Sequence, residues 1–581
     1  MPVLFMAVFL AGCGVSSGGN DGYLISEDET YDKQTDSNGD YRLTDKASLY
    51  EEDGNEVVTM YLTVGSGNEV DGTDHSWEEV NSYPLDYYSE KGLEPYKCEA
   101  VLQVGDDVGP VEGEFGYGIR TANATVQLRG SGASQRPQKS YRIRIKDGCG
   151  RWRDQKTISL NKHVADPVRF KNRLAYDLME EIPQMLSCRT TFVHLYVKDR
   201  SDGNEGLFQD YGLYTQVEQI NKTYLKNRGF DKDGQLYQTG NEFDWGRHED
   251  SIMSATAAGY DQDKFEEYLE IEGSEDHEKI VSLLEAVNDP EYKITDIVDK
   301  YFERENLYYW MAFHILTGNK DVLRSGYYLY SPRGSDRWYF ISWNNDGILN
   351  EGYEQIDDPS YERSWNKGIY TFADNVLFKR ILQDGTCRQE LNAAVEDLYA
   401  NYLTEEKIQE KITWYENISE EYLYSLPDRT YVPVSKENYD ILTAGMAGEI
   451  SDNYAVYKET MESAWPFHIL DPVNENGQTV LCWEQSFISG DQPVEYTVEV
   501  AKDYTFRECI VSVKTGETQY AAGELPAGQY FVRIHAAGPN GITEDAYEFY
   551  NTENSGTCYS TLCFYVFDDG SVEGARFSED E

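Results

Sequence analysis

Side chains able to do proton-transfer or metal chemistry lie around one loop of this sequence, residues 317–326. Asp321 stands in that loop, and two short apolar runs, the second ending at Trp343, follow it. The pattern predicts a hairpin that returns the chain to the loop and delivers Asn344 and Asp346 beside it. A positioned carboxylate can accept a hydroxyl proton, and carboxylate and amide oxygens can bind Mg²⁺. A single Asp in a turn is usually a solvated surface residue, so the order of these segments carries the hypothesis.

A glycine-rich turn upstream has residues suited to phosphate groups. Arg129-Gly130-Ser131 follows a predicted strand ending at Leu128, and Lys139 opens the next strand. A Gly-rich turn between two strands brings backbone N–H groups close to phosphate oxygens, and a lysine at the head of the second strand can reach over them. An ordinary hairpin turn explains the same residues, so this segment alone leaves both alternatives open.

Alternating and helical patterns assign the elements around these segments. Strand patterns occupy much of residues 57–217, and residues 141–145 alternate between apolar and arginine side chains. A helix is predicted at 169–181 and further helices from about residue 263. One of these helices has an apolar stripe at 307–315, just before the loop at 317–326. The fold class is therefore predicted to be α+β.

The chain after Pro472 changes to short strands and turns. The strand ending at Trp483 and a later Leu-Pro-Ala-Gly-Gln-Tyr turn resemble a fibronectin type III module. Residues 472–567 are therefore predicted to form a small all-β sandwich, which would bind a protein or glycan ligand rather than catalyse. Residues 568–581 are predicted to be an acidic tail.

The N-terminal residues have features of a bacterial export signal. Residues 1–10 are apolar but too few to span a bilayer, and the Leu-Ala-Gly before Cys13 resembles a lipobox, in which the cysteine is lipidated. We expect a signal peptide at 1–12, a lipid on Cys13 that anchors the protein to the cell membrane in an extracytoplasmic location, and a flexible linker at 13–48. No basic residue precedes the apolar run, and a buried strand is the alternative.

The composition limits the partners. The 581 residues carry a formal net charge of −53, from 104 acidic and 51 basic residues. Such a chain repels a phosphate backbone, which argues against nucleic-acid binding. It favours basic peptides or divalent cations, although a merely solvated anionic surface also explains the charge. The cysteines other than Cys13 are scattered without a C-x-x-C pair, so a structural zinc site is not expected.

Taken in order, these segments resemble the CotH family of atypical secreted kinases, named for a spore coat protein. The resemblance spans residues 57–422 and implies a two-lobed kinase-like domain at 49–465, with a β-rich N-lobe to about residue 240 and a helical C-lobe after it. The matching segments are Arg129-Gly130-Ser131, Lys139-Ser140-Tyr141, Asp166-Pro167, residues 172–177, Gly212-Leu213-Tyr214 with Glu218, residues 318–321 and residues 343–346.

The resemblance implies ATP as phosphoryl donor and a Ser or Thr of an extracytoplasmic or coat protein, basic in character, as acceptor. By that resemblance Lys139 holds the nucleotide phosphates beside the turn Arg129-Gly130-Ser131, with Glu218 as a carboxylate partner. Asp321 is then the catalytic base that accepts the hydroxyl proton.

Two positions depart from the family pattern. The resemblance assigns Mg²⁺ or Mn²⁺ to Asn344 and Asp346, but the family has an acidic residue where Asn344 stands and often a metal-ligating Asn where Gly326 stands. A neutral amide offsets less charge than a carboxylate, although Asp357 or Asp358 could substitute. Three hypotheses stay open: an active kinase, a pseudokinase-like surface scaffold or adhesion lipoprotein, and a glycan-degrading enzyme.

Overall fold

The computed structural model describes residues 57–203, 205–324, 326–357, 366–490, 492–552 and 556–576. The predicted signal peptide, the linker, Cys13, Asp358 and the end of the acidic tail lie outside these residues. Within the described ranges, no helix is both long and apolar enough to cross a membrane.

The first seven strands of the described chain close into a barrel. The predicted alternation is observed, since Tyr141, Ile143 and Ile145 are buried in the barrel core while Arg142 and Arg144 face outward. The last strand in the barrel order pairs in parallel with the first and closes the sheet. The strands are β1 Val58–Gly65, β2 Lys97–Gly105, β3 Ala124–Arg129, β4 Ser140–Ile145, β5 Thr157–Asn161, β6 Thr190–Asp199 and β7 Gln209–Val217, in the order β1-β2-β3-β4-β5-β7-β6.

Short helices connect the barrel strands. The carboxylate of Asp166 accepts the backbone N–H of Lys171 at 2.9 Å, which satisfies a donor of the first turn of the helix that carries Asn172. The helices are α1 Trp77–Ser82 and α2 Leu85–Lys91 between β1 and β2, α3 Ser131–Ser134 between β3 and β4, and α4 Lys171–Glu180 between β5 and β6.

A second sheet contains the predicted hairpin, in which Tyr328 lies opposite Ile341. Its strands are β8 Gln235–Thr239, β9 Leu269–Ile271, β10 Tyr327–Ser331 and β11 Tyr339–Ser342, in the order β11-β10-β8-β9. Because β8 pairs with β10 and not with the barrel, the barrel ends with β7. The β-rich lobe expected to about residue 240 stays a prediction, since β8 continues to Thr239 in the second sheet.

The helices after the barrel share one core with this second sheet. The helix at residues 304–316 leads into the loop that carries Asp321. Its residues Trp310 and Met311 are fully buried, as expected for a helix that is apolar on most faces. The Glu303 carboxylate accepts the N–H of Asn306 at 2.6 Å and caps its N-terminus. The helices are α5 Lys222–Asn227, α6 Gln262–Glu266, α7 Glu278–Asn288, α8 Ile294–Tyr301, α9 Arg304–Leu316, α10 Glu351–Asp357, α11 Val376–Gln383, α12 Gly385–Asp397, α13 Glu405–Leu423, α14 Lys436–Gly445 and α15 Glu449–Glu462.

The C-terminal region forms two main sheets that share one core, to which Trp483 and Tyr496 contribute from different sheets. The likeness to a fibronectin type III module stays a prediction. The strands are β12 Ile469–Glu475, β13 Gln478–Trp483, β14 Glu495–Ala501, β15 Cys509–Thr515, β16 Gln519–Gly523, β17 Gly528–Ala537, β18 Thr543–Asp545, β19 Phe549–Thr552, β20 Gly556–Tyr559, β21 Thr561–Val566 and β22 Val572–Ala575. The prediction of an acidic tail at 568–581 is wrong at residues 572–575, because these form β22, which pairs with β21 and extends the sheet.

Polar contacts join this β region to the helical part. The Tyr370 hydroxyl donates a hydrogen bond to the carbonyl oxygen of Ala464 at 2.7 Å. The His468 ring lies between Asp374 and Glu548, with an N–O distance of 3.1 Å to each carboxylate. These two carboxylates raise the pKa of His468 to about 10, so the imidazole is charged at neutral pH and links the two parts.

Candidate functional site

A cleft of about 450 Å³ lies beside one end of the barrel. The turn after β3 contributes Arg129, Gly130 and Ser131, and the segment after β11 contributes Asn344 and Asp346. Five of the predicted site residues, distant in sequence, therefore line one cavity. Its volume is within the range of small-molecule and cofactor sites.

The glycine-rich turn is held in place by α2. Gly130 has a φ of 74°, a left-handed conformation that glycine adopts without strain. The Asp86 carboxylate accepts hydrogen bonds from the Ser131 hydroxyl and, at 2.5 Å, from the Gln135 amide, while the backbone N–H of Leu85 donates to Ser134 Oγ at 2.9 Å. The turn at the cleft is thus anchored from outside the cleft.

Arg129 places a positive charge in the cleft wall. Its guanidinium donates to Asn161 Oδ1 and stands 5.7 Å from the centre of the Trp343 ring. Burial lowers the pKa of Arg129 to about 10, with a smaller contribution from the like charge of Arg142. The group stays charged at neutral pH, and a guanidinium matches the geometry of phosphate oxygens.

Asp346 places a negative charge in the same cleft. Burial alone would raise the pKa of Asp346, but the contact with His163, 3.6 Å away, and the nearby charge of Lys171 outweigh it and hold that pKa below its usual value. Asn344 lines the same cleft with a φ of 51°. Among the described residues that line the cleft, Asp346 is the single carboxylate.

These residues fit a magnesium ion bound together with a nucleotide. Mg²⁺ in phosphate-transfer sites is commonly held by one or two carboxylates, with substrate phosphates and water completing its octahedral shell. Asp346 supplies an anionic oxygen and Asn344 a neutral one, and both face the cavity in which a phosphate chain would lie. The donor set suits a hard divalent cation, with less negative charge than a pair of carboxylates would supply.

The chain after the hairpin returns to the loop that carries Asp321, as predicted. The N–H of Leu349 donates to the carbonyl oxygen of Thr317 at 2.8 Å. A Cβ atom built on Gly347 would lie 3.1 Å from Asp321 Oδ2, so the carboxylate of Asp321 lies directly against the turn that carries Asp346. Asp321 is exposed and adjoins the cleft rather than lining it.

The structure does not bring Lys139 and Glu218 together. The Lys139 ammonium donates to the carbonyl oxygen of Ser134 at 2.6 Å, and burial lowers its pKa. The Glu218 carboxylate is buried and accepts from Arg189 at 3.2 Å and from Arg228 at 2.7 Å. Glu218 as the partner of Lys139 is therefore corrected to a structural ion cluster, because two guanidinium groups already occupy its oxygens. Neither residue lines the cleft.

The local structure explains why a glycine stands at position 326. Its φ is 82°, and a Cβ atom there would approach the carbonyl oxygen of Thr239 in β8 to 2.7 Å. An asparagine at this position would therefore be strained and would press against the sheet. Asp357, proposed as a substitute ligand, ends α10 and is not among the residues lining the cleft.

Several cleft residues were not predicted as site residues. Asn161 is the last residue of β5, a strand that the sequence patterns did not reveal, and His163 follows that strand. Asn172 lies in a segment that resembles the family but carried no assigned role. The polar sequence Asn161-Lys162-His163 after an apolar run was the available signal.

A glycine turn with a cationic Arg129 and a segment with the carboxylate of Asp346 line this one cleft. Residues 126–471, more than half of the chain, match the model of the family described as CotH kinase protein. The chain belongs to this family of atypical kinases, which implies a nucleotide, a divalent metal and a protein substrate in general terms.

No curated protein matches the chain. Among solved structures it is similar to a chain of the Shewanella oneidensis MR-1 toxin–antitoxin complex of HipA, HipB and operator DNA, with 11% identity and a TM-score of 0.21. That alignment covers 52% of this chain and 58% of the other, so this chain spans less than two thirds of that relative.

Proposed function

We propose that the protein is an exported, lipid-anchored atypical kinase that transfers the γ-phosphoryl group of ATP to Ser or Thr of an extracytoplasmic or coat protein. One observation carries the proposal: Arg129 and Asp346 face the same cleft, and Asp321 lies against the loop of Asp346. Export and lipid attachment at Cys13 are supported by the sequence pattern of the N-terminus.

Each side chain has one task in this proposal. Arg129 binds and orients the phosphate oxygens, while Asp346 and Asn344 hold the metal ion, which when bound offsets the charge of the phosphates. The substrate hydroxyl oxygen forms a bond to the γ-phosphorus as the bond from that phosphorus to the bridging oxygen of ADP breaks. Asp321 accepts the hydroxyl proton.

The test is phosphoryl transfer by the purified mature protein. With Mg²⁺ or Mn²⁺ and γ-labelled ATP, the protein should label itself or a basic Ser-rich peptide, and Asp321→Asn should abolish the labelling. Asp357→Asn is the matched control, because Asp357 lies outside the set of cleft residues and its loss should leave the rate unchanged. Absence of both labelling and nucleotide binding in the wild-type protein would rule out this function.

A second candidate is a pseudokinase-like scaffold or adhesion lipoprotein whose β-sandwich binds a protein or glycan. Electrostatic stabilisation carries most of the catalysis in phosphoryl transfer. The described cleft residues include a single carboxylate, which would hold the metal ion less strongly than two, and this favours a protein that does not catalyse. Thermal unfolding separates the candidates. A ligand at about 100 times its Kd adds about 2.7 kcal/mol to stability, so no shift with millimolar ATP and Mg²⁺ would favour the scaffold.

A further inference from the structure

A series of polar contacts links the backbone beside Asp346 to its side chain. The N–H of Asn345 donates to Asn172 Oδ1 at 3.0 Å. The Nδ2 atom of Asn172 lies 3.3 Å from His163 Nε2, and His163 Nδ1 lies 3.6 Å from Asp346 Oδ2. The contacts form a closed circuit, because Asn345 and Asp346 are adjacent in the chain.

The direction of each contact follows from the first. A backbone N–H can only donate, so the atom of Asn172 facing Asn345 is the carbonyl oxygen. The amide nitrogen of Asn172 therefore faces His163 and donates to Nε2, which must offer its lone pair. A neutral imidazole has one N–H, and in His163 it lies on Nδ1, the atom that faces Asp346.

The local backbone holds this arrangement. His163 has a φ of 48°, a conformation that is uncommon for residues other than glycine and often marks functional sites. Its carbonyl oxygen accepts the N–H of Asp166 at 3.0 Å. His163 is 9% exposed and Asn172 is 3% exposed, so neither ring nor amide is free to rotate into solvent.

We propose that His163 is a positioning residue for Asp346. Its Nδ1–H lies 3.6 Å from Oδ2 and orients the carboxylate, which would leave Oδ1 available to a metal ion, and Asn172 fixes the tautomer of the ring. This inference depends on the proposed kinase function in one respect, namely that the ligand of Asp346 is a metal ion bound with a nucleotide. A partner that orients a ligating group typically contributes 10- to 100-fold to metal affinity, and orientation matters most where one carboxylate holds the metal.

The first test is the tautomer of His163 in the metal-free protein. Nitrogen-15 NMR of labelled histidine distinguishes the two neutral tautomers, and the signal absent from the His163→Gln variant identifies this ring. We expect the Nδ1–H form. An Nε2–H form or a doubly protonated ring would overturn the inference, and this measurement requires no catalytic activity.

The second test is Mn²⁺ binding in the presence of ADP, followed by electron paramagnetic resonance. His163→Gln, which places its amide where Nε2 lies, should weaken Mn²⁺ binding by about 10- to 100-fold. His163→Asn keeps an amide donor at the Nδ1 position and tolerates a positive φ, so binding should stay close to wild type. Asn172→Leu should weaken binding like His163→Gln, and it serves if His163→Gln does not fold.

The outcomes of the two proposals are distinguishable. Wild-type affinity in both His163→Gln and Asn172→Leu would overturn the positioning role while leaving the kinase proposal intact. A wild-type protein that binds neither Mn²⁺ nor ADP would contradict the kinase proposal, and the tautomer of His163 would then decide the inference by itself.

Discussion

Replacing Glu218 by Gln should destabilise the folded protein without weakening nucleotide binding. The Glu218 carboxylate is 2% exposed and contacts Arg189 and Arg228, whose side chains are 3% and 5% exposed. Removing one member of a buried ion cluster leaves uncompensated charge, which typically destabilises by about 3–5 kcal/mol. Glu218→Gln should therefore lower the free energy of unfolding by about that amount at neutral pH.

The same ion cluster makes the effect depend on pH. Burial alone would raise the pKa of Glu218, but Arg228 and Arg189 outweigh burial and lower it below 4.5. Because the folded pKa lies below the unfolded one, the charge contributes stability above pH 4.5, and that contribution is lost as the pH falls through the folded pKa. The difference between wild type and Glu218→Gln should be constant near neutral pH and shrink in acid.

Urea unfolding followed by tryptophan fluorescence measures both effects. Glu205→Gln is the matched control, because Glu205 pairs with Arg200 at 2.8 Å on the surface, with side chains 92% and 46% exposed. Such a pair contributes about 0–1 kcal/mol. If Glu218→Gln were as mild as Glu205→Gln, or if it weakened ADP binding, the assignment of Glu218 to a structural ion cluster would be refuted.

Two further predictions concern the sheet beside the cleft and the link between the helical part and the C-terminal β region. Gly326→Ala should lower stability more than Gly118→Ala, measured by urea unfolding. Both glycines have a positive φ, which costs an alanine about 1–2 kcal/mol, but only Gly326 would also press its Cβ against a backbone oxygen at 2.7 Å; equal losses would contradict the steric argument. Asp374 and Glu548 raise the pKa of His468 to about 10, so its stabilisation is complete below pH 6.5 and lost as the pH rises through the folded pKa. His468→Gln should remove this alkaline loss from thermal unfolding curves, and an unchanged pH profile would exclude the link.

Much of the barrel was predictable because its strands alternate in a local pattern. The alternation at Tyr141, Ile143 and Ile145 identified β4 and its buried face. The closure of the barrel was not predictable, because β1 pairs in parallel with β6, which lies more than one hundred residues away. Strand β5 was missed, since its five residues contain too few alternations to distinguish a strand from a loop.

The acidic side of the site was predictable for the same local reason. A hairpin between Asp321 and Asp346 returns the chain to its starting point, whatever the rest of the fold does. The partner of Glu218 was not predictable, because Arg189 and Arg228 reach it only after β6, β7 and α5 have packed together.

The sequence by itself therefore determined many of the elements, the hairpin that unites Asp321 with Asp346, and the membership of the chain in a kinase family. Only the tertiary structure decided that Arg129 and Asp346 line one cleft, and that Asn172 contacts His163 and His163 lies beside the carboxylate of Asp346. The physical reason is that alternation and turn chemistry act between neighbouring residues, whereas ion pairs and hydrogen bonds between distant segments form only when packing brings their charges and donors together.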